Sequence, residues 1–303
     1  MKTILIQVNE HVPEAVAANA RLQAWCEEQE VACSEADKRG SGAVLSPPDL
    51  IVALGGDGTL LRAVHAAHSF EAPFLSVKFG RLGFLSGAPA DRLIEAVSAA
   101  LSGKVPLEYH TLLDARVYSG AEEIARCQAV NELVLRGAAT HMLTTTFAIN
   151  GHVFNEVSGD GLIIATATGS TAYALSAGGP VLAPSFEGAE IVPLAPHTLA
   201  NRAVVTDRDD TVRIELPDPT RADVALFFDG TPLVLDGRPV SAVEVRIAPE
   251  KLSLVKFDAH NAYAVVAREF FGIEHDTEPD KTGPVPILSE PVSSGENQER
   301  AGA

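Results

Sequence analysis

The sequence predicts an α/β N-terminal domain with a parallel sheet, followed by a β-rich C-terminal domain. Three observations predict it. The first third alternates short apolar runs with helical spacing, the pattern of βαβ units and right-handed crossovers. Beyond about residue 105 the texture changes to short β-rich runs separated by turn dipeptides. The length, 303 residues, fits two domains at about 150 residues each.

The elements follow in order. Residues 4–8 form a first strand, and residues 13–26 have helical apolar spacing at Val16, Ala20, Leu22 and Trp25. The run at 50–54 is continuously apolar, as suits a strand covered on both faces. It leads through Gly55-Gly56-Asp57-Gly58-Thr59 into a helix reaching about residue 68. Residues 73–77 give another strand and 91–101 another helix. The β-rich runs are 112–118, 129–135, 143–149, 161–165, 211–216, 224–228 and 243–247. Asn150-Gly151, Asp229-Gly230 and Asp236-Gly237 mark turns between them. The expected organisation is thus 1–104 for the α/β domain carrying the glycine turn and 105–261 for the β-rich domain. Residues 262–273 form a closing segment returning to the first domain. Residues 274–303 hold seven acidic residues, two basic ones, four prolines and no aromatic residue. They read as a disordered tail, because so little apolar area does not offset chain entropy.

Composition excludes several classes. Hydrophobic residues make up 46% of the chain, enough for a sizeable core, and the formal net charge is −17. That charge opposes binding to a nucleic-acid backbone or an anionic membrane. A small anion held locally by backbone N–H groups is still compatible with it. Cys26, Cys33 and Cys127 form no CxxC pair and leave an odd thiol, which fits a reducing cytoplasm. The apolar run at 3–8 is too short for a signal peptide, and no 18-residue apolar stretch suggests a membrane span.

The sharpest motif is Gly55-Gly56-Asp57-Gly58-Thr59, after a buried strand and before a helix. Glycines let the backbone turn tightly and approach a ligand, and a helix start favours phosphate. Asp57 is the odd residue, because a carboxylate repels phosphate. It makes sense as a base for a hydroxyl, or through Mg²⁺. That combination points to phosphoryl transfer to an alcohol; the plain alternative is a tight turn with Asp57 capping the helix. A second cluster, DGLIIATATGSTAYALSAGGP at 160–180, brings hydroxyls and the ring of Tyr173, which suit a nucleotide. Alternatively it is a Ser/Thr-capped helix ended by glycines. Asn131-Glu132 interrupts a β-like run, and adjacent strand residues point to opposite faces. Both serve one ligand only at a bend or strand end; otherwise Glu132 pairs with an Arg such as Arg136 at a strand edge. The chain has no GxxxxGK[ST], no GxGxxG opening a helix and no HExxH. His65 and His68 sit at i, i+3, but packing or surface exposure explains them better than metal. No metal-ligand set is assigned.

Together, GGDGT at 55–59, GRLGFL at 80–85, NE at 131–132, the 160–180 segment and PLAPHTLANRAVV at 193–205 resemble the NAD kinase family. The resemblance covers about residues 1–273 and keeps the family's motif order. GGDG turns also occur in diacylglycerol kinases, sphingosine kinases and 6-phosphofructokinases; the 160–180 segment separates this chain from them. The resemblance implies phosphorylation of the adenosine ribose 2′-hydroxyl of NAD to give NADP, with ATP or inorganic polyphosphate as donor and Mg²⁺ as cofactor. It implies NAD held between the two domains, and a homo-oligomer, either dimer or tetramer. By position Asp57 matches the family's proton acceptor and Gly58 its neighbour in the phosphate turn. Asn131 and Glu132 match the dinucleotide-binding pair, and His141 falls where some members contact ligand. Asp160 opens the long motif, and Thr171, Ala172, Tyr173, Ala174, Leu175 and Ser176 match the stretch lining the NAD site. A dinucleotide-binding protein without turnover is the alternative; keeping Asp57 argues against it, since a binder gains nothing from an acid near phosphates. The chain departs from the family at Lys78, usually Asn, at Ala167 and Ala203, usually Pro, and at Thr231, frequently Gln. Lys78 either brings a cation to the phosphate turn or reaches to solvent.

Overall fold

The computed structural model describes residues 1–36, 48–67, 72–80, 83–137, 142–198, 201–217, 224–257 and 262–273. His68, His141 and the 274–303 tail lie outside the described residues.

The first hundred residues build β1 (Thr3–Val8), α1 (Pro13–Glu28), β2 (Ala32–Glu35), β3 (Leu50–Leu54), α2 (Asp57–Ala66), β4 (Phe74–Lys78), β5 (Ala88–Pro89) and α3 (Leu93–Leu101). The strands pair in parallel, β2-β1-β3-β4, with β5 added to β4. Every residue of β3 is buried because both sheet faces are covered. Leu50, Val52 and Leu54 face α1 and α3, while Ile51 and Ala53 face α2.

The rest is mainly β. It comprises β6 (Leu107–Ser119), β7 (Glu122–Ala129), β8 (Glu132–Gly137), β9 (Leu143–Ile149), β10 (His152–Gly159) and β11 (Gly161–Thr166). A single helical turn, α4 (Tyr173–Ser176), precedes β12 (Ala189–Leu194), β13 (Val204–Thr206), β14 (Val212–Glu215), β15 (Val224–Phe228), β16 (Thr231–Pro232) and β17 (Ala242–Val255). α5 (Ala262–Phe271) closes the described chain, and its Phe270 ring stacks on Phe84 at 5.8 Å. Six strands form one antiparallel sheet, β13-β12-β11-β8-β15-β16. It packs on β6, β9, β14 and β17 through Leu113, Leu133, Phe147, Ile164 and Val243.

The sequence reading lacks strands β2, β7, β10 and β12, and two further details differ from it. The run at 129–135 is broken: β7 ends at Ala129, the chain bends, and β8 begins at Glu132. The strand expected at 243–247 is 14 residues long. Pro249, Glu250 and Lys251 lie at a register shift against β6, between Ile247 and Lys251. A bulge of this kind lets one strand continue past residues that break the apolar pattern. The far end of β17 pairs in parallel with β4 through Leu254 and Phe74. The parallel sheet is therefore continuous with the antiparallel strands, 11 strands in all. Leu112, Val130, Leu252 and Leu254 pack with Ile51, Leu60 and Phe74 in one shared core.

Candidate active site

The glycine turn lies where β3 runs out. Gly55 N–H donates to Val77 O (3.0 Å), which ties the turn to the end of β4. A Cβ on Gly55 would meet Thr59 Oγ1 at 2.3 Å and Asn9 Cβ at 3.0 Å, so only glycine fits. α2 has Gly56 as its N-cap, with no side-chain capping bond, and starts at Asp57. Asp57 is therefore not the cap. Its carboxylate turns toward the 83–86 turn, where a Cβ on Gly83 would lie 2.5 Å from Oδ1 and 2.7 Å from Oδ2. Asp57 Oδ1 is buried and has no hydrogen-bond partner. Gly58 is exposed beside it. One turn on, Arg62 donates to Thr59 Oγ1 (3.2 Å).

The second half of the site is the bend at 130–132. The Asp229 carboxylate, with no exposed side-chain surface, gathers its three backbone N–H groups. Val130 donates to Oδ2 (2.9 Å), and Asn131 and Glu132 donate to Oδ1 (2.7 and 3.2 Å). Asp229 and Gly230 both have positive φ, 47° and 76°. They form the tight β15–β16 turn that aims the carboxylate at the bend. His65 Nε2 on α2 lies 3.0 Å from Asp229 Oδ2. The helix that begins with Asp57 is thus pinned to the bend about 12 Å further along its axis.

The 166–171 loop locks against the same bend. Thr166 N–H donates to Asn131 O (2.9 Å), and Thr166 Oγ1 donates to Val130 O (2.6 Å). A Cβ on Gly169 would lie 2.1 Å from Asn131 O, so this contact too requires glycine. Glu132 is buried, 6% exposed, and Oε2 has no partner. Burial pushes its carboxyl up to about 7, the Asp229 charge adds to this, and the Tyr173 backbone N–H pulls back. A carboxyl raised this far is poised between the acid, which donates a hydrogen bond, and the carboxylate, which only accepts. This environment, rather than a strand-edge pair with Arg136, accounts for Glu132.

Two hollows flank the glycine turn. One, about 650 Å³, runs between Gly83, Phe84, His110, Thr168, Thr171 and α5. At its floor His110 Nδ1 lies 2.9 Å from Thr168 Oγ1, and burial drives the imidazole down to about 4, so it is neutral at pH 7. The other, about 940 Å³, opens where β1 ends, between Val8, Asn9, Glu35 and Arg62. The carboxyl ends of parallel strands are the usual ligand crevice of open α/β sheets.

The structure places Asp57 and Gly58 on the turn. It brings Asn131, Glu132 and the 171–176 segment together through Thr166, Gly169 and the Tyr173 N–H. Tyr173 and Ser176 are exposed, whereas Ala174 is buried under the six-stranded sheet. Asp160 is not brought in: it sits exposed at the opposite end of β11. Six residues of strand put it about 20 Å from Thr166. Sequence reasoning missed Asp229 as a site residue and took its dipeptide only as a turn. It also missed Gly83 and the pinning role of His65. Among the described residues no three His, Cys, Asp or Glu side chains group as a metal cage.

Comparison with known proteins gives a consistent result. The family model for the ATP-NAD kinase N-terminal domain matches residues 5–105, and that for the ATP-NAD kinase C-terminal domain matches 130–257. The chain is 38% identical over 218 residues to an NAD kinase of Pseudomonas putida, covering 72% of this chain and 73% of the relative. It is 36% identical over 216 residues to an NAD kinase of Chromohalobacter salexigens, covering 71% and 73%. In fold it is similar to yeast NADH kinase complexed with NADH, with TM-score 0.78, 21% identity and 93% and 90% coverage. It is also similar to an NAD kinase from Archaeoglobus fulgidus in complex with ATP, with TM-score 0.68, 21% identity and 89% and 97% coverage.

Proposed function

The chain belongs to the NAD kinase family, and from that premise we propose how its own residues make NADP. It is a phosphotransferase whose partners are small nucleotides. In the proposed arrangement NAD lies in the hollow between Gly83 and Thr171, with its adenosine ribose toward Glu132 and Asn131. The donor, ATP or inorganic polyphosphate, enters the hollow at the end of β1, beside Arg62. The two must meet beside Asp57 at the glycine turn, because direct transfer needs the hydroxyl and the terminal phosphorus in line and in contact. Asp57 accepts the proton of the ribose 2′-hydroxyl. The 2′-oxygen forms a bond to the terminal phosphorus of the donor, and the bond from that phosphorus to its bridging oxygen breaks.

The observation that carries this reading is Asp57 Oδ1, a buried acceptor without a partner at the glycine turn. It stands where a hydroxyl proton needs a base. Asp57 also fits Mg²⁺ that arrives on donor phosphates, since Mg²⁺ usually takes one or two carboxylates and completes its shell with phosphate and water. The metal's contribution is to neutralise charge on the donor. His141 and Asp160 stay as expected ligand contacts. Asp160 lies about 20 Å from Thr166 along β11, and the homo-oligomer proposed from the resemblance is one in which it meets the dinucleotide of a second copy. A cytoplasmic location is supported by three free thiols, which fit a reducing compartment; no described helix is long and apolar enough to cross a membrane. The test is NADP formation by the purified chain from NAD, ATP and Mg²⁺, with Asp57→Asn alongside. Turnover in Asp57→Asn at the parent rate would remove Asp57 from the role of base.

A further inference from the structure

We propose that Lys78 is a second catalytic residue, a fixed cation that contacts the transferred phosphoryl group beside Asp57. This rests on the family reading and deepens it. Lys78 is the last residue of β4, whose Val77 is in register with Leu54 of β3. It therefore stands level with the glycine turn, and the Gly55 N–H bond to Val77 O fixes that level.

The side chain is half-buried and turns over Gly83. Its Nζ lies 2.6 Å from the point a Gly83 Cβ would occupy, and Asp57 Oδ1 lies 2.5 Å from the same point. Ammonium and carboxylate converge over a bare stretch of backbone. Gly83 does not have a left-handed φ, so it is glycine for space: any side chain would displace both charged groups.

The chemistry needs such a charge. A polyanionic donor approaches a chain of net charge −17 at a turn that carries its own carboxylate. Phosphoryl transfer places negative charge on the equatorial oxygens, and fixed cations at that position stabilise the transition state. A lysine ammonium is a compact point charge on a flexible stem, able to follow the phosphoryl group. Lys78 exchanges no proton and forms no bond to phosphorus in this role.

Two variants test it, Lys78→Met and Lys78→Arg. Inorganic tripolyphosphate is titrated into each by calorimetry without added metal, and NADP formation is followed separately. Urea unfolding verifies that each variant is folded. Lys78→Met is expected to bind tripolyphosphate at least about 10-fold more weakly. Its kcat should fall on the order of 10²-fold, with the KM for NAD changed less than about threefold. Lys78→Arg keeps the charge and should bind tripolyphosphate within about threefold of the parent. Parent-like binding by folded Lys78→Met overturns the proposal. So does an equal loss in folded Lys78→Arg, which would make the site one of shape rather than charge. Unchanged tripolyphosphate binding with an altered pH profile would assign the lysine to Asp57 alone, and likewise overturn it. Failure of the parent chain to make NADP would defeat the family-based assignment instead, while the titration still reads the lysine.

Discussion

The glycine turn at 55–58 and the bend at 130–132 each present a carboxylate to the site, and they are built in opposite ways. The turn is local. Five consecutive residues, a strand end and a helix start place Asp57, and Gly55 and Gly83 keep space clear around it. The bend is assembled from afar. Asp229 on one side and Thr166 with Gly169 on the other come from two other segments to hold Val130, Asn131 and Glu132. Asp57 is half-buried with a waiting oxygen, whereas Glu132 is buried with its carboxyl raised to about 7. A locally built element tolerates change in its side chain. A distributed one loses shape when any single member goes.

Substitutions at the two places should therefore fail differently. Asp57→Asn is expected to lower kcat by about 10²–10⁴-fold, with the urea midpoint unchanged. A matching loss of stability would show that the turn depends on its carboxylate for structure. Asp229→Ala should do the reverse. It strands three N–H groups of the bend and costs about 3 kcal/mol in stability, measured by urea unfolding. The KM for NAD should rise with it, and retention of both would mean that the bend holds itself.

Glu132→Ala separates binding from structure within the bend. Losing a charged hydrogen bond to ribose should weaken NAD by roughly 10- to 150-fold. The KM for ATP should hardly move; equal shifts for both substrates would exclude the ribose role. The last effect is confined to the pH dependence of stability and belongs to Glu190. It is wholly buried, neither oxygen has a partner, and burial raises its carboxyl to about 7. As pH rises from about 4.5 to 7 the unfolded chain gives up this proton and the folded chain keeps it, so stability falls. Glu132 has the same sign. Glu190→Gln should remove up to about 1.4 kcal/mol per pH unit from that slope. An unchanged slope of stability against pH would show that Glu190 is already ionised in the fold.

The contrast also explains what the sequence made legible. The buried run at 50–54 and its glycines announce a phosphate turn because everything needed is contiguous. Asn131-Glu132 was visible only as an oddity, two polar neighbours in a β run that demand a bend. Asp229 was not visible. Its value lies in three N–H groups almost a hundred residues away, and its dipeptide reads as any tight turn. Asp160 shows a different limit: membership in a contiguous motif does not fix proximity within one chain, because a strand carries its two ends far apart. β17 was shortened for a related reason, since a bulge hides a strand's continuation behind Pro249 and two charged residues.

That long last strand sets the order of events during synthesis. β4 emerges with its edge covered only at Val77 and Lys78 by β5, and Phe74 and Leu60 face a core that still lacks Leu252 and Leu254. Roughly 180 residues separate the two, on the order of ten to thirty seconds of translation. For that interval the nascent first half carries a partly unpaired strand edge and an uncovered apolar face, the features that invite edge-to-edge association. Slow closure of distant pairings is the kinetic signature of such a topology.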